Sequence, residues 1–382
     1  MTPGAFIRNK WTKFTLWALL YLLWVIWLGN YWWLFGLGII FDLYITKKVK
    51  WFFWKKEYKE GEKPNEALEW LDAIIFAVVV VTFLNMFFFQ AFKIPSCSME
   101  NTLYTGDHLF VEKLTYGPKV PQTPLTIPFT HNTIFGKKSY STLIQNDYRR
   151  LKGFRKVKAG DIVVFNFPNG DTVLTKAPAV DYHELVRFYG REQVEKLYGP
   201  IVVHPMDKKD HYVKRCVAAA GDTLEVRDGL VWVNGKKQRV WPGIRMRRAD
   251  LYTVPGKDED PRMLFPFTPD NPWTRDSFGP LWIPSKGATV AITEENLPLY
   301  ERIIRDYEHG DPAKALAEGS YTFCQDYYWM MGDNRHNSLD SRYWGFVPED
   351  HIVGRPLIIW LSTDEGKKFP RNIRWGRFFK IV

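Results

Sequence analysis

LDAIIFAVVVVTFLNMFFFQAF, residues 71–92, followed at once by KIPSCSM, residues 93–99, divides this chain into two materials. The first stretch is almost unbroken in its apolar character for about 20 residues, the length a helix needs to cross ~30 Å of hydrocarbon. It is apolar on every face and lacks the periodicity of a helix that buries one side in a soluble core. The spacing therefore predicts a membrane-crossing helix over 71–92, and residues 93–382 read as ordinary globular sequence.

Toward the N-terminus, residues 15–45 are apolar over a stretch that one helix would extend to about 46 Å, too long for an untilted crossing. Gly29-Asn30 sits at its centre, flanked by Trp24, Trp27, Tyr31, Trp32 and Trp33, aromatics that favour the membrane–water boundary. The expectation is a helical hairpin over 15–45 with its turn at the outer face. It places Arg8, Lys10 and Lys13, and also Lys47, Lys48, Lys50, Lys55 and Lys56, on the cytoplasmic side, with no acid after Lys47 until Glu57. A single tilted span would leave the first three bases outside. Residues 1–70 are thus expected to form a membrane anchor and a basic cytoplasmic loop, 71–92 to lead outward, and 93–382 to form an extracytoplasmic domain. The N-terminal run is too long and too rich in Trp for a cleavable signal, and no small-residue cleavage site follows it.

A net charge of +10 raises the question of nucleic acid, but the bases flank apolar runs and no nucleic-acid motif accompanies them. The lipid bilayer is the expected partner, and nucleic acid is not. Three cysteines, Cys97, Cys216 and Cys324, supply neither a disulfide framework nor a four-ligand zinc site. Cys216 and Cys324 are read as two buried thiols, with a single bridge between them as the alternative.

Beyond residue 93 short strands and turns dominate. Residues 161–167 (DIVVFNF), 223–226 and 230–233 read as strands; Asp228-Gly229 and Asn234-Gly235 supply the positive φ of two-residue hairpins. Residues 236–294, rich in Pro, Gly and charge, read as surface loops. Leu297, Tyr300, Ile304 and Tyr307 recur at spacings of three and four and mark one apolar helix face. The fold class expected is N-terminal transmembrane helices followed by a mainly antiparallel β domain, with a small α/β, loop-rich insertion at about 236–320.

Ser96 and Ser98 stand just beyond the outward span, where serines commonly cap helices or face solvent. A catalytic serine needs an adjacent base. Of the eight histidines none stands in a nucleophile elbow or a zinc-binding arrangement. The other option is a lysine kept neutral by burial. Lys214, in the strand-like segment YVKRCVAAAGD (212–222), has the best setting.

PSCSM (95–99), GDHLFVEKLTYG (106–117), KAGDIVVFNFP (158–168), YVKRCVAAAGD (212–222) and MMGDNRHNSLDSRYWGFVP (330–348) resemble, in order and type, the sequence blocks of bacterial type I signal peptidases. The resemblance implies a serine endopeptidase of the bacterial inner membrane that removes signal peptides from exported preproteins, cutting after a small residue in an Ala-X-Ala type site. It implies Ser98 as nucleophile and Lys214 as general base, with the Ser96 hydroxyl and the Ser98 N–H forming the oxyanion hole. Ser338 would orient the amine. Asp340 with Arg342, and Arg215, Asp333, Asn334 and Arg335, would support the site. Ile94, Pro95, Met99, Leu103, Tyr212 and Val213 match the family's substrate pocket. No metal or organic cofactor is implied. Cys97 replaces a frequent Gly, and His336 a frequent Asp. Two rival readings are a narrow-substrate Ser-Lys peptidase and a catalytically silent scaffold that binds exported chains.

Overall fold

The computed structural model describes residues 9–51, 65–168, 172–174, 182–199, 201–245, 260–269 and 271–382. Arg8, Lys55, Lys56 and Glu57, used in the charge argument, lie outside these, as do residues 246–259 of the expected insertion. The chain forms two compact units, Met1–Leu84 and Asn85–Val382.

In the first unit, helix α1 (Lys10–Leu28) begins where the Asn9 side chain accepts the Trp11 N–H at 2.9 Å. It ends at Gly29, whose φ of 62° is the left-handed cap that glycine adopts at low cost. Asn30 then caps a 3-10 turn, Tyr31–Phe35, and the chain returns through α2 (Gly36–Phe41) and a π turn, Asp42–Thr46. The two legs meet: the Tyr21 hydroxyl donates to the Trp33 carbonyl at 2.7 Å, and the Phe14 and Phe41 rings stand 5.4 Å apart. Helix α3 spans Glu66–Phe87. Both α1 and α3 are long and apolar enough to cross a membrane.

Helix α3 starts earlier and stops sooner than the apolar run 71–92. The last residues of that run form strand β1 (Phe89–Lys93), because β2 (Asp107–Glu112) offers a full antiparallel partner from Phe89↔Glu112 to Lys93↔His108. Hydropathy does not distinguish the two states; pairing does.

The main sheet of the second unit is mainly antiparallel and curled. Its other members are β3 (Ile162–Asn166), β4 (His211–Ala218), β9 (Tyr327–Met331), β10 (Val347–Pro348), β11 (Ile352–Ser362) and β12 (Lys380–Ile381). The order is β1-β2-β11-β3-β4-β9-β10, with β12 on β11. Burial on both faces explains the nearly continuous apolar reading of DIVVFNF. Val164 packs with Met99, Leu103, Leu109 and Ile359 on one side, while Val163 and Phe165 pack with Cys216, Met330 and Trp344 on the other.

A second sheet runs β7-β6-β5-β8, from β5 (Thr223–Arg227), β6 (Leu230–Val233), β7 (Lys236–Lys237) and β8 (Phe278–Trp282). Asp228 and Gly229 make the expected tight turn, with φ of 52° and 74°. Strand β8 was hidden from pattern reading by Gly279-Pro280 inside it; the ladder slips between Phe278 and Leu281 to accommodate them. The stretch 236–294 is therefore not all loop. Tyr300 and Ile304 are buried as expected, on α6 (Leu297–Arg302) and the π turn that continues it, with Leu297 and Tyr307 packed against the same core. A helical pair that pattern reading missed, α4 (Tyr182–Tyr189) and α5 (Arg191–Tyr198), interrupts the chain between β3 and β4.

Candidate active site

Ser98 lies in the loop between β1 and β2. The loop is pinched shut where Ile94 N–H donates to Asp107 O and Gly106 N–H to Ile94 O, each at 2.8 Å. Met99 and Leu103, both fully buried, anchor its inner side. From across the sheet the Asn334 N–H donates to the Ser98 carbonyl at 3.0 Å, and its side-chain amide to the Cys97 carbonyl at 3.2 Å. The main chain that carries Ser98 is thus held from two sides.

Lys214 stands on β4, opposite Val163 of β3. Its Nζ lies 2.7 Å from Ser98 Oγ and 3.2 Å from the Val213 carbonyl oxygen. Only 2% of Lys214 is exposed. Burial lowers its amine to about 8, against the pull of Asp340 and Asp333, which favour the charged form. At pH 7 a neutral fraction of about a tenth follows from that value.

Ser96 Oγ lies 3.2 Å from Ser98 Oγ, so both hydroxyls share one cluster with the amine. Ser338 is buried, but its hydroxyl makes no hydrogen bond to Lys214; the amine's bonds go to Ser98 and Val213. Two buried ion pairs stand behind the dyad. Arg215 grips Asp333 with Nε and Nη2 at 2.8 and 2.7 Å. Arg342 grips Asp340 in the same two-pronged way at 2.8 and 2.9 Å and donates to the Arg335 carbonyl. Burial alone would raise the Asp340 carboxyl; Arg342 and the Gly332 N–H outweigh it and hold it below the usual range. Arg335 is itself buried, which lowers its guanidinium to about 10.

The residues expected at the substrate pocket divide between two apolar clusters. Ile94, Met99, Leu103 and Val213 share one cluster, and Pro95 is exposed beside it. Tyr212 belongs to the other, stacked on Phe167 with centroids 4.7 Å apart. The three cysteines are free thiols, so Cys216 and Cys324 are not bridged; Cys324 is exposed, not buried as expected. Cys97 Sγ accepts from the Asn337 amide at 3.1 Å. Thr102, whose hydroxyl donates to Asp333 at 2.5 Å, carried no sequence signal, because a threonine in a loop has no distinguishing pattern. Among the described residues no three or more of His, Cys, Asp and Glu gather as a metal site.

A serine hydroxyl set against a buried lysine amine at a curled antiparallel sheet is an arrangement suited to serine hydrolase chemistry. The profile of the family described as signal peptidase, peptidase S26, matches residues 67–361, and the chain belongs to that family of serine endopeptidases. It is 26% identical to signal peptidase I of Haemophilus influenzae over 336 residues, which is 86% of this chain and 79% of that protein. Signal peptidase I of Helicobacter pylori is also 26% identical, over 82% of this chain and 91% of the relative. A crystal structure of an Enterococcus faecalis signal peptidase I aligns with 53% of this chain and 97% of its own at 16% identity, with a TM-score of 0.21, and adds no weight. Family membership assigns the removal of signal peptides by a serine protease.

Proposed function

We propose that Ser98 and Lys214 form the catalytic dyad and that this chain cuts preproteins after a small residue in an Ala-X-Ala type site. The observation that carries the reading is the 2.7 Å contact between the Ser98 hydroxyl and an amine that is almost wholly buried. The neutral amine accepts the hydroxyl proton as Ser98 Oγ attacks the scissile carbonyl, and then returns that proton to the leaving amine. Water, deprotonated by the same amine, releases the acyl group. The Ser96 hydroxyl and the Ser98 N–H donate to the developing oxyanion; losing one such donor typically costs about 10²–10³ in kcat.

Strand β1 ends the order of the main sheet and has no strand on its outer side among the described residues, so an extended peptide would pair there as an added strand. Ile94, Pro95 and Val213 would meet the small side chains, and shallow apolar walls suit residues of that size. The anchor would cross the bilayer as a hairpin followed by α3, with the basic loop in the cytoplasm and the catalytic unit outside it. The bilayer and the signal peptide within it are then the two partners.

The test is cleavage of a preprotein by the full chain in detergent. The wild type should cut after a small residue, and Ser98→Ala and Lys214→Met should each lose at least ~10³-fold in rate while remaining folded. Activity that survives Ser98→Ala but not a change at Cys97 would move the nucleophile by one residue. An inert wild type would leave the scaffold reading in its place.

A further inference from the structure

After β7 the chain passes behind the dyad as a short turn, Trp241-Pro242-Gly243-Ile244, in which Ile244 N–H donates to the Trp241 carbonyl at 3.1 Å. Pro then Gly at the two central positions, with Gly243 at φ 101°, is the pattern a type II turn requires. The turn lies against the two side chains that hold Asp333. The Trp241 ring covers the Arg215 guanidinium, whose Cζ lies 5.2 Å from the ring centroid. A side chain on Gly243 would come within 2.5 Å of the Thr102 hydroxyl oxygen. Among the described residues, Arg215 and Thr102 are the two side chains that donate to the Asp333 carboxylate.

The next residue joins the site through its main chain. Arg245 N–H donates to the Asp333 carbonyl at 2.7 Å and its carbonyl accepts from Arg335 N–H at 3.2 Å, bracketing Asn334, which in turn bonds to the Ser98 carbonyl. The Arg245 side chain pairs with Glu100, two residues past the serine. The turn that leads into β3 leaves room for the indole. Gly160 faces it with a φ of 99°, and a Cβ there would lie 2.7 Å from the Trp241 ring. The Gly160 carbonyl accepts the third Arg215 bond at 2.8 Å.

We propose that residues 241–245 form a strap that positions the dyad, with Trp241 as its positioning residue: the indole keeps the Arg215–Asp333 pair dry, and the strap holds the 333–335 turn in register with Ser98. The proposal rests on the Ser98–Lys214 reading. Trp241 touches neither reacting atom, so its loss should slow the chemical step and leave substrate binding alone. Misplacement by about 1 Å can cost ~10² in rate.

The test measures kcat and KM for a preprotein with the full chain in detergent, expressed per folded molecule as judged by thermal unfolding. Trp241→Ala should lower kcat by about tenfold or more with KM changed less than about twofold, and Trp241→Phe, which keeps a ring over the guanidinium, should restore kcat to within about threefold of wild type. If the alanine variant yields no folded protein, Trp241→Leu, with part of the cover, should show the same split in smaller measure. A wild-type kcat in Trp241→Ala, a loss confined to KM, or a phenylalanine variant as slow as the alanine one would overturn the strap. Ser98→Ala is run beside them: activity in that variant would sink the dyad, whereas an inert Ser98→Ala with an unaffected Trp241→Ala would sink only the strap.

Discussion

At the scale of single residues, the chemistry depends on how much the surroundings of Lys214 cost its proton. Burial brings the amine to about 8, so the rate should climb roughly tenfold per pH unit below that value and level off above it. A pH–rate profile of the full enzyme checks this; a rate flat from pH 6 to 9 would contradict it. The same shift acts on stability. In the unfolded chain the amine titrates at its ordinary 10.5, so below about pH 8 both states carry the proton and the folded state bears the whole penalty. Between about 8 and 10.5 the unfolded state binds more protons, and stability rises with pH. Lys214→Met, of similar length and uncharged, should therefore be more stable than wild type by up to about 3 kcal/mol at pH 7, the gap closing toward pH 10.5. Paired thermal melts at pH 7 and pH 10 would expose an error of sign.

Individual elements were legible where one local rule sufficed. Asp228-Gly229 joins β5 to β6 because both residues take positive φ at little cost, and the sequence carries that instruction in two letters. Gly229→Ala should cost about 1–2 kcal/mol without altering turnover by the folded enzyme, since the hairpin lies in the second sheet and carries no residue of the dyad. Denaturant titration with a parallel activity assay separates the two effects. Strand β8 and the pair α4 and α5 escaped notice for opposite reasons. The first contains Gly and Pro, which mark turns anywhere else, and the helices of the second are too short for periodicity to speak clearly. The end of α3 shows the same limit: Phe89 and Phe92 are as apolar as any helix residue, yet β2 draws them into a strand.

For the molecule as a whole, charge and length set the expected topology. Reporter fusions should report the cytoplasm at residue 60 and the outer side at residue 30 and at the C-terminus; a cytoplasmic signal at residue 30 would discard the hairpin crossing. The sequence by itself determined the apolar spans, the β character of the remainder and the residue types needed for the reaction, since each depends on composition or short-range spacing. It also placed Ser98 and Lys214 as a pair, but through the order of its blocks and not through any local physics. Only the tertiary structure brought those two groups together across 116 residues of chain. Only the tertiary structure, too, set Thr102, Trp241 and Arg245 around Asp333. Burial and hydrogen-bond geometry belong to the packed whole: a lysine is ordinary or reactive according to what excludes water from it, and that depends on strands that no window of sequence contains.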